Sequence, residues 1–141
     1  MSEPVTSLLF ACNMNSVRSP MAEALARHYF GAAVKVESCG VYKGYTDPFI
    51  GMILSEKDIS LDPNAPKDFS EVQVKSFDKV VALTPEAAKS ARALGAEVVY
   101  WDIANPTDVR GSDEDLMKAY RDCRETLNTL IQSSFDAAEK E

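Results

Sequence analysis

The stretch Thr6-Ser7-Leu8-Leu9-Phe10-Ala11-Cys12-Asn13-Met14-Asn15-Ser16-Val17-Arg18-Ser19-Pro20 decides the fold. Its first six residues are a short apolar run without helical period, the pattern of a strand buried on both faces of a parallel sheet. Its end carries Ser19-Pro20, a good N-cap residue followed by the residue suited to the first helical position. Met21, Ala22, Leu25, Ala26 and Tyr29 then recur at helical spacing, and Gly31 supplies a stop. The stretch reads strand, loop, helix.

Outward from it the same alternation continues. Val34 to Cys39 reads as a second strand and Gly40 as a turn. Asp47-Pro48 opens a helix whose apolar side is assigned to Phe49, Met52, Ile53 and Leu54. Residues 59–77, with Pro63, Asn64 and Pro66, lack a period and read as loop with room for one short helix. Lys79 to Leu83 is a third strand, Thr84-Pro85 opens a helix to about Leu94, and Gly95 ends it. Glu97 to Trp101 is a fourth strand, followed by a polar loop from Asp102 to Gly111 that contains Asn105-Pro106. Ser112 caps the last helix, with Asp113, Glu114 and Asp115 at its positive end. Leu116, Tyr120, Cys123, Leu127 and Leu130 mark its core face. The expected architecture is α/β: one domain over residues 1–141, three layers α/β/α, with a four-stranded parallel sheet flanked by helices.

Composition bounds the function. The 141 residues carry 15 Lys+Arg against 22 Asp+Glu, a net charge of −7, and are 45% hydrophobic. That supports one core and excludes disorder. It also argues against a nucleic-acid partner, which needs a basic face. No apolar run reaches the roughly 20 residues of a membrane span, so no membrane partner is expected. Met1-Ser2-Glu3-Pro4 has no positive n-region. The odd set Cys12, Cys39 and Cys123 reads as reduced thiols, hence a cytoplasmic location. Residues 1–50 are charge-balanced and the acidic excess lies beyond them, so the first half tolerates an anionic ligand.

In parallel sheets ligands sit at the carboxyl ends of strands, beside helix N-termini. Cys12 ends a strand, five residues intervene, and Arg18 and Ser19 begin a helix. Such a loop can wrap its backbone N–H groups around a tetrahedral oxyanion while the helix dipole and Arg18 add positive potential. The same field favours the nucleophilic thiolate of Cys12. Arg18 can hold two phosphate oxygens in its planar fork.

Cys12-x-x-Asn15-x-x-Arg18-Ser19-Pro20-Met21-Ala22-Glu23 resembles the signature of the low-molecular-weight protein tyrosine phosphatases and their arsenate reductase relatives. Glu37-Ser38-Cys39-Gly40 resembles the family's Ser-Ala-Gly segment, and the later elements fall in order. The resemblance implies a two-step phosphoryl transfer with no cofactor and no metal. Cys12 would attack phosphorus, Arg18 and the loop Asn13, Met14, Asn15, Ser16 and Val17 would hold the oxygens, and Ser19 would stabilise the thiolate. Asn15 would order the loop through its side chain, and Ser19 also reads as the helix N-cap. The implied partners are a phosphorylated protein or small aryl phosphate, and inorganic phosphate or another oxyanion. Arsenate reduction with an external thiol, or phosphate binding without turnover, are the alternatives. The oligomeric state is not legible.

Three departures from the pattern stand out. Met14 replaces a glycine, which implies a different backbone or an apolar lip. Val17 stands where many relatives have a second cysteine, so Cys12 has no partner thiol in its own loop. Asn105 precedes Pro106 where the family has its general acid, an aspartate. An amide cannot protonate a leaving phenolate, which leaves Asp102 and Asp108 in the same loop as candidates. Asn105 would then orient the water of the second step. His28 is expected away from the site, Tyr100 and Trp101 to pack or wall the cleft, and Tyr42 and Tyr45 to lie at its mouth.

Overall fold

Apolar side chains on both faces of one central strand organise the molecule. The computed structural model describes residues 3–61 and 66–138; Pro63 and Asn64 lie outside the described residues. In chain order the strands are β1 (Glu3–Val5), β2 (Ser7–Cys12), β3 (Lys35–Gly40), β4 (Lys79–Ala82), β5 (Val98–Tyr100) and β6 (Phe135–Ala137). The helices are α1 (Arg18–Phe30), α2 (Pro48–Ser55), α3 (Pro85–Ala93) and α4 (Asp113–Ser134). All six residues of β2 are buried. Leu8, Phe10 and Cys12 face a core shared with α1, α2 and α4. Leu9 and Ala11 face a second core with Cys39, Phe77 and the alanines of α3.

The sheet order is β3-β2-β4-β5, all parallel. The chain leaves β2 for one neighbour and later crosses to the other, so the loop after β2 lies at the switch point where such sheets open a crevice. A two-stranded parallel pair, β1 with β6, stands apart from this sheet. The sequence reading did not contain it: each strand has three residues, too few for a period, and Pro4 argues against one.

Capping chemistry set most boundaries. Asp47 accepts from Phe49 N, Thr84 from Ala87 N, and Ser112 forms a capping box with Asp115. Gly31, at φ 62°, ends α1. Ser19 corrects the expectation: α1 begins at Arg18, its N-cap is Val17 without a side-chain bond, and Ser19 is fully buried inside the first turn. The core side of α2 is Ile50, Ile53 and Leu54, while Phe49 and Met52 are largely exposed. Two 3-10 turns, Phe69–Glu71 and Val74–Ser76, occupy the stretch read as loop. Trp101 stacks between Phe10 and Phe135 at centroid distances of 6.2 and 5.9 Å, away from the crevice. Among the described residues no helix is long and apolar enough to cross a membrane.

Ser112→Ala removes the acceptor for Asp115 N and should cost about 1 kcal/mol. A urea titration with an unchanged slope and a lowered midpoint would register that loss; an unmoved midpoint would show the cap is dispensable.

Candidate active site

The loop after β2 is held from outside. Val41 N, Tyr42 N, Gly44 N and Asp47 N donate to the carbonyls of Cys12, Asn13, Met14 and Ser16 at 3.0, 2.7, 2.8 and 3.1 Å. A strap of chain, residues 41–47, thus occupies the loop's acceptors. The N–H groups of residues 13–17 have no acceptor among the described residues. Free donors beside a helix N-terminus are the kind of arrangement that suits an anion. Asn15 takes the left-handed conformation that bends the loop, at φ 51°. Met14 is not among the residues with positive φ, so its side chain meets no strain there. It is 44% exposed and makes an apolar lip.

Beneath the loop runs a buried polar chain. Cys12 Sγ and Ser19 Oγ share a 2.9 Å hydrogen bond. Asn15 Nδ2 donates to Ser19 Oγ and to Ser38 Oγ at 2.9 and 3.0 Å. Ser38 Oγ donates to Glu23 Oε1 at 2.5 Å, and Glu23 Oε2 pairs with Arg27 Nη2 at 2.8 Å. Lys67 N donates to Asn15 Oδ1. The hydrogen of Ser19 has two acceptors, Cys39 O at 3.2 Å and the sulfur, and an ionised sulfur is the stronger. Asn13 is tied differently: its Oδ1 accepts from Thr84 Oγ1 at 2.7 Å, fixing the loop to the start of α3.

Above the loop lies a cleft of about 490 Å³. Cys12, Met14, Ser16, Val17, Arg18 and Asn105 line it together. Asn13, Asn15 and Ser19 are not in that lining; the side chains of Asn15 and Ser19 work from behind. Arg18 Nη1 donates to Ile103 O at 2.9 Å, which leaves Nε and Nη2 unengaged among the described residues. Asn105 caps a 3-10 turn, Pro106–Asp108, and its Oδ1 accepts from Thr107 N and Oγ1. Its NH₂ remains as a donor to the cleft.

The two aspartates expected to supply a proton are elsewhere. Asp102 lines a neighbouring hollow with Cys123 and Ile103, where its charge, after burial, raises the Tyr100 hydroxyl pKa. Asp108 ends the 3-10 turn, exposed, and is outside the cleft lining. The carboxylate that does line the cleft is Asp47, which the sequence marks only as the start of a helix. Its Oδ1 accepts from Phe49 N at 2.7 Å and its Oδ2 from Tyr120 OH at 2.6 Å. Burial first, then this bond, pushes the Tyr120 hydroxyl up from its ordinary value. Gly44, Thr46 and Thr107 were also missed, being small residues with no local signal. Tyr45 lines the cleft; Tyr42, Tyr100 and Trp101 do not, and His28 lines a different hollow.

A family model described as low molecular weight phosphotyrosine protein phosphatase matches residues 7–141. The chain belongs to this family. An arsenate reductase of Halalkalibacterium halodurans is 27% identical over 128 residues, covering 89% of this chain and 92% of that protein. The crystal structure of a YwlE mutant from Bacillus subtilis superposes with TM-score 0.71 at 28% identity, covering 90% of this chain and 94% of that one. YwlE arginine phosphatase from Geobacillus stearothermophilus gives TM-score 0.74 at 25% identity, over 92% and 89%. Members of this family are thus phosphatases or arsenate reductases, and the phosphatase fold with its cysteine loop is present here.

Within this family member the strap depends on glycine at position 44. A Cβ there would stand 2.6 Å from Ser16 Oγ, 2.9 Å from Met14 O and 3.0 Å from Met14 Cβ. Gly44→Ala must therefore push the strap off the loop and lose the bond to Met14 O. Phosphate affinity, measured by calorimetry, should fall about tenfold. Undiminished affinity would show that the strap does not set the loop.

Proposed function

We propose that the chain is a cysteine-dependent phosphatase that hydrolyses aryl phosphates, phosphotyrosine among them, through a cysteinyl-phosphate. The observation that carries this reading is the cleft itself. Cys12, whose sulfur is backed by the Ser19 hydroxyl, shares it with Arg18, which has two unengaged nitrogens, and with Met14, Ser16 and Val17, whose amides have no acceptor among the described residues. In the first step sulfur bonds to phosphorus and the bond from phosphorus to the leaving oxygen breaks, with Arg18 and the amides holding the equatorial oxygens. In the second step water bonds to phosphorus and the sulfur leaves as thiolate, received by Ser19.

The first leaving group needs a proton that Asn105 cannot give; its NH₂ offers only a hydrogen bond. Asp47 accepts from both a helix N–H and Tyr120 OH, so both of its oxygens are already engaged. Departure without an acid favours leaving groups that are already good. The Asp47 charge also favours a cationic one, such as the phosphoguanidinium of a phosphoarginine, the substrate class in the name of the YwlE relatives.

The arsenate reductase relatives raise a competing substrate. Cysteinyl-arsenate must be reduced by a second thiol. Cys39 lies in the core on the other face of the sheet. Cys123 is buried, and burial, partly offset by Arg18, pushes its thiol up to about 11. Neither is an available thiolate, so arsenate reduction here would draw on an external thiol.

Cys12→Ser should abolish turnover of aryl phosphates; retained turnover would remove the mechanism. Across aryl phosphates of graded leaving-group acidity, kcat/KM should fall steeply as the leaving group becomes poorer. Asn105→Asp should raise the rate on poor leaving groups by about 10²–10⁴-fold. No turnover with any aryl phosphate or phosphoarginine, together with tight phosphopeptide binding, would make the protein a binding module. Arsenate-dependent oxidation of a small thiol would make it a reductase.

A further inference from the structure

Helices α1, α2 and α4 each contribute near one end to the cleft, through Arg18, Pro48 and the Tyr120 bond to Asp47. Farther along, the same three helices enclose a second hollow of about 230 Å³, floored by Leu25 and Ile59. Helix α1 supplies His28 and Tyr29, the turn after α2 supplies Lys57, and α4 supplies Arg124, Asn128 and Gln132.

Arg124 decides the chemistry. Its side chain is only 7% exposed. Nε donates to Glu125 Oε2 at 2.6 Å, and Nη1 to Ile53 O and Glu56 Oε1, both at 2.7 Å. Nη2 has no partner among the described residues. The side chain is nearly buried, but Nη2 reaches the open space of the hollow, where it can donate to an acceptor that enters. The neighbours are donors too. Lys57 has no ion pair among the described residues. Asn128 Oδ1 accepts from Gln132 Nε2 at 3.1 Å, which leaves the Asn128 NH₂ to donate. Glu125 is the acid on the rim, and its Oε2 is taken by Arg124.

We infer that this hollow is a second anion site, built for a phosphoryl group carried by inorganic phosphate or by a small phosphorylated molecule. A carboxylate is the poorer fit. The bidentate fork needs two neighbouring guanidinium nitrogens, and Nε and Nη1 are already engaged on either side of Nη2. A tetrahedral anion takes single bonds from separate donors, which is what Arg124, Lys57 and Asn128 offer. The hollow admits one phosphoryl group and a short organic stem, and it stands whether or not the cleft turns over substrate.

The test is a titration of the full chain carrying Cys12→Ser and Arg18→Ala, which disables the cleft, followed by ¹⁵N amide spectra. Inorganic phosphate and glycerol 3-phosphate are the two probes. Saturable shifts centred on residues 57 and 124–132 are expected. Lys57→Ala and Asn128→Ala, both away from the Arg124 bonds to Ile53 and Glu56, should each weaken binding about tenfold. Tighter binding of glycerol 3-phosphate identifies a small phosphorylated molecule, and equal or weaker binding identifies phosphate. Absence of shifts at these residues at millimolar probe, or shifts indifferent to both substitutions, would overturn the site.

Discussion

A loop can turn its N–H groups toward an anion only if its carbonyl oxygens are satisfied on the other side. In this protein that constraint is met by residues 41–47, whose own N–H groups take the carbonyls of Cys12, Asn13, Met14 and Ser16. The strap is a continuation of the β2–β3 ladder past the end of the sheet, so the ligand site inherits the rigidity of the core strand. At Gly40 and Gly44 the two segments leave no room for a side chain; a Cβ at Gly40 would stand 2.6 Å from Asn15 N. The strap also ends in Asp47, which brings a carboxylate, a helix cap and the Tyr120 hydroxyl to the same rim.

The second support is the polar chain from Cys12 Sγ through Ser19, Asn15 and Ser38 to Glu23 and Arg27. Each member between Cys12 and Arg27 is bonded on both sides, and no buried side-chain nitrogen or oxygen among the described residues is left unmatched. Such a network is stable only as a whole, because each group removed leaves its neighbour desolvated and unpaired. It fixes the loop's curvature at Asn15, the one loop residue with positive φ.

Much of this was legible in the sequence, for definable reasons. Asp47-Pro48, Thr84-Pro85 and Ser112 announce helix starts because capping is local chemistry, and the all-buried β2 announces a parallel sheet because its apolar run has no alternation. The strand–loop–helix that carries Cys12 and Arg18, and with it the family, was legible because those residue types only make sense together. Ser19 was misread as a cap because Ser-Pro fits that role by propensity, whereas its hydroxyl is spent on the sulfur and α1 starts one residue earlier. Asp102 and Asp108 were proposed from proximity in sequence, but the turn at Pro106 and the Arg18 bond to Ile103 O direct that loop so that only Asn105 and Thr107 of it line the cleft. Asp47 and Gly44 belong to the cleft through a contact between strap and loop that no local pattern encodes.

The pairing of β1 with β6 has a consequence of its own. Glu3 is matched to Phe135 and Val5 to Ala137, and Phe135, almost wholly buried, closes the aromatic stack on Trp101 and Phe10. Strand β1 therefore cannot pair until β6, about 130 residues later in the sequence, has been made. The four-stranded sheet is drawn wholly from residues 7–100, whereas the α4 side of the core, which carries Tyr120, closes only when residues 113–137 are also present. In a growing chain the loop that carries Cys12 would exist before the helix that backs it.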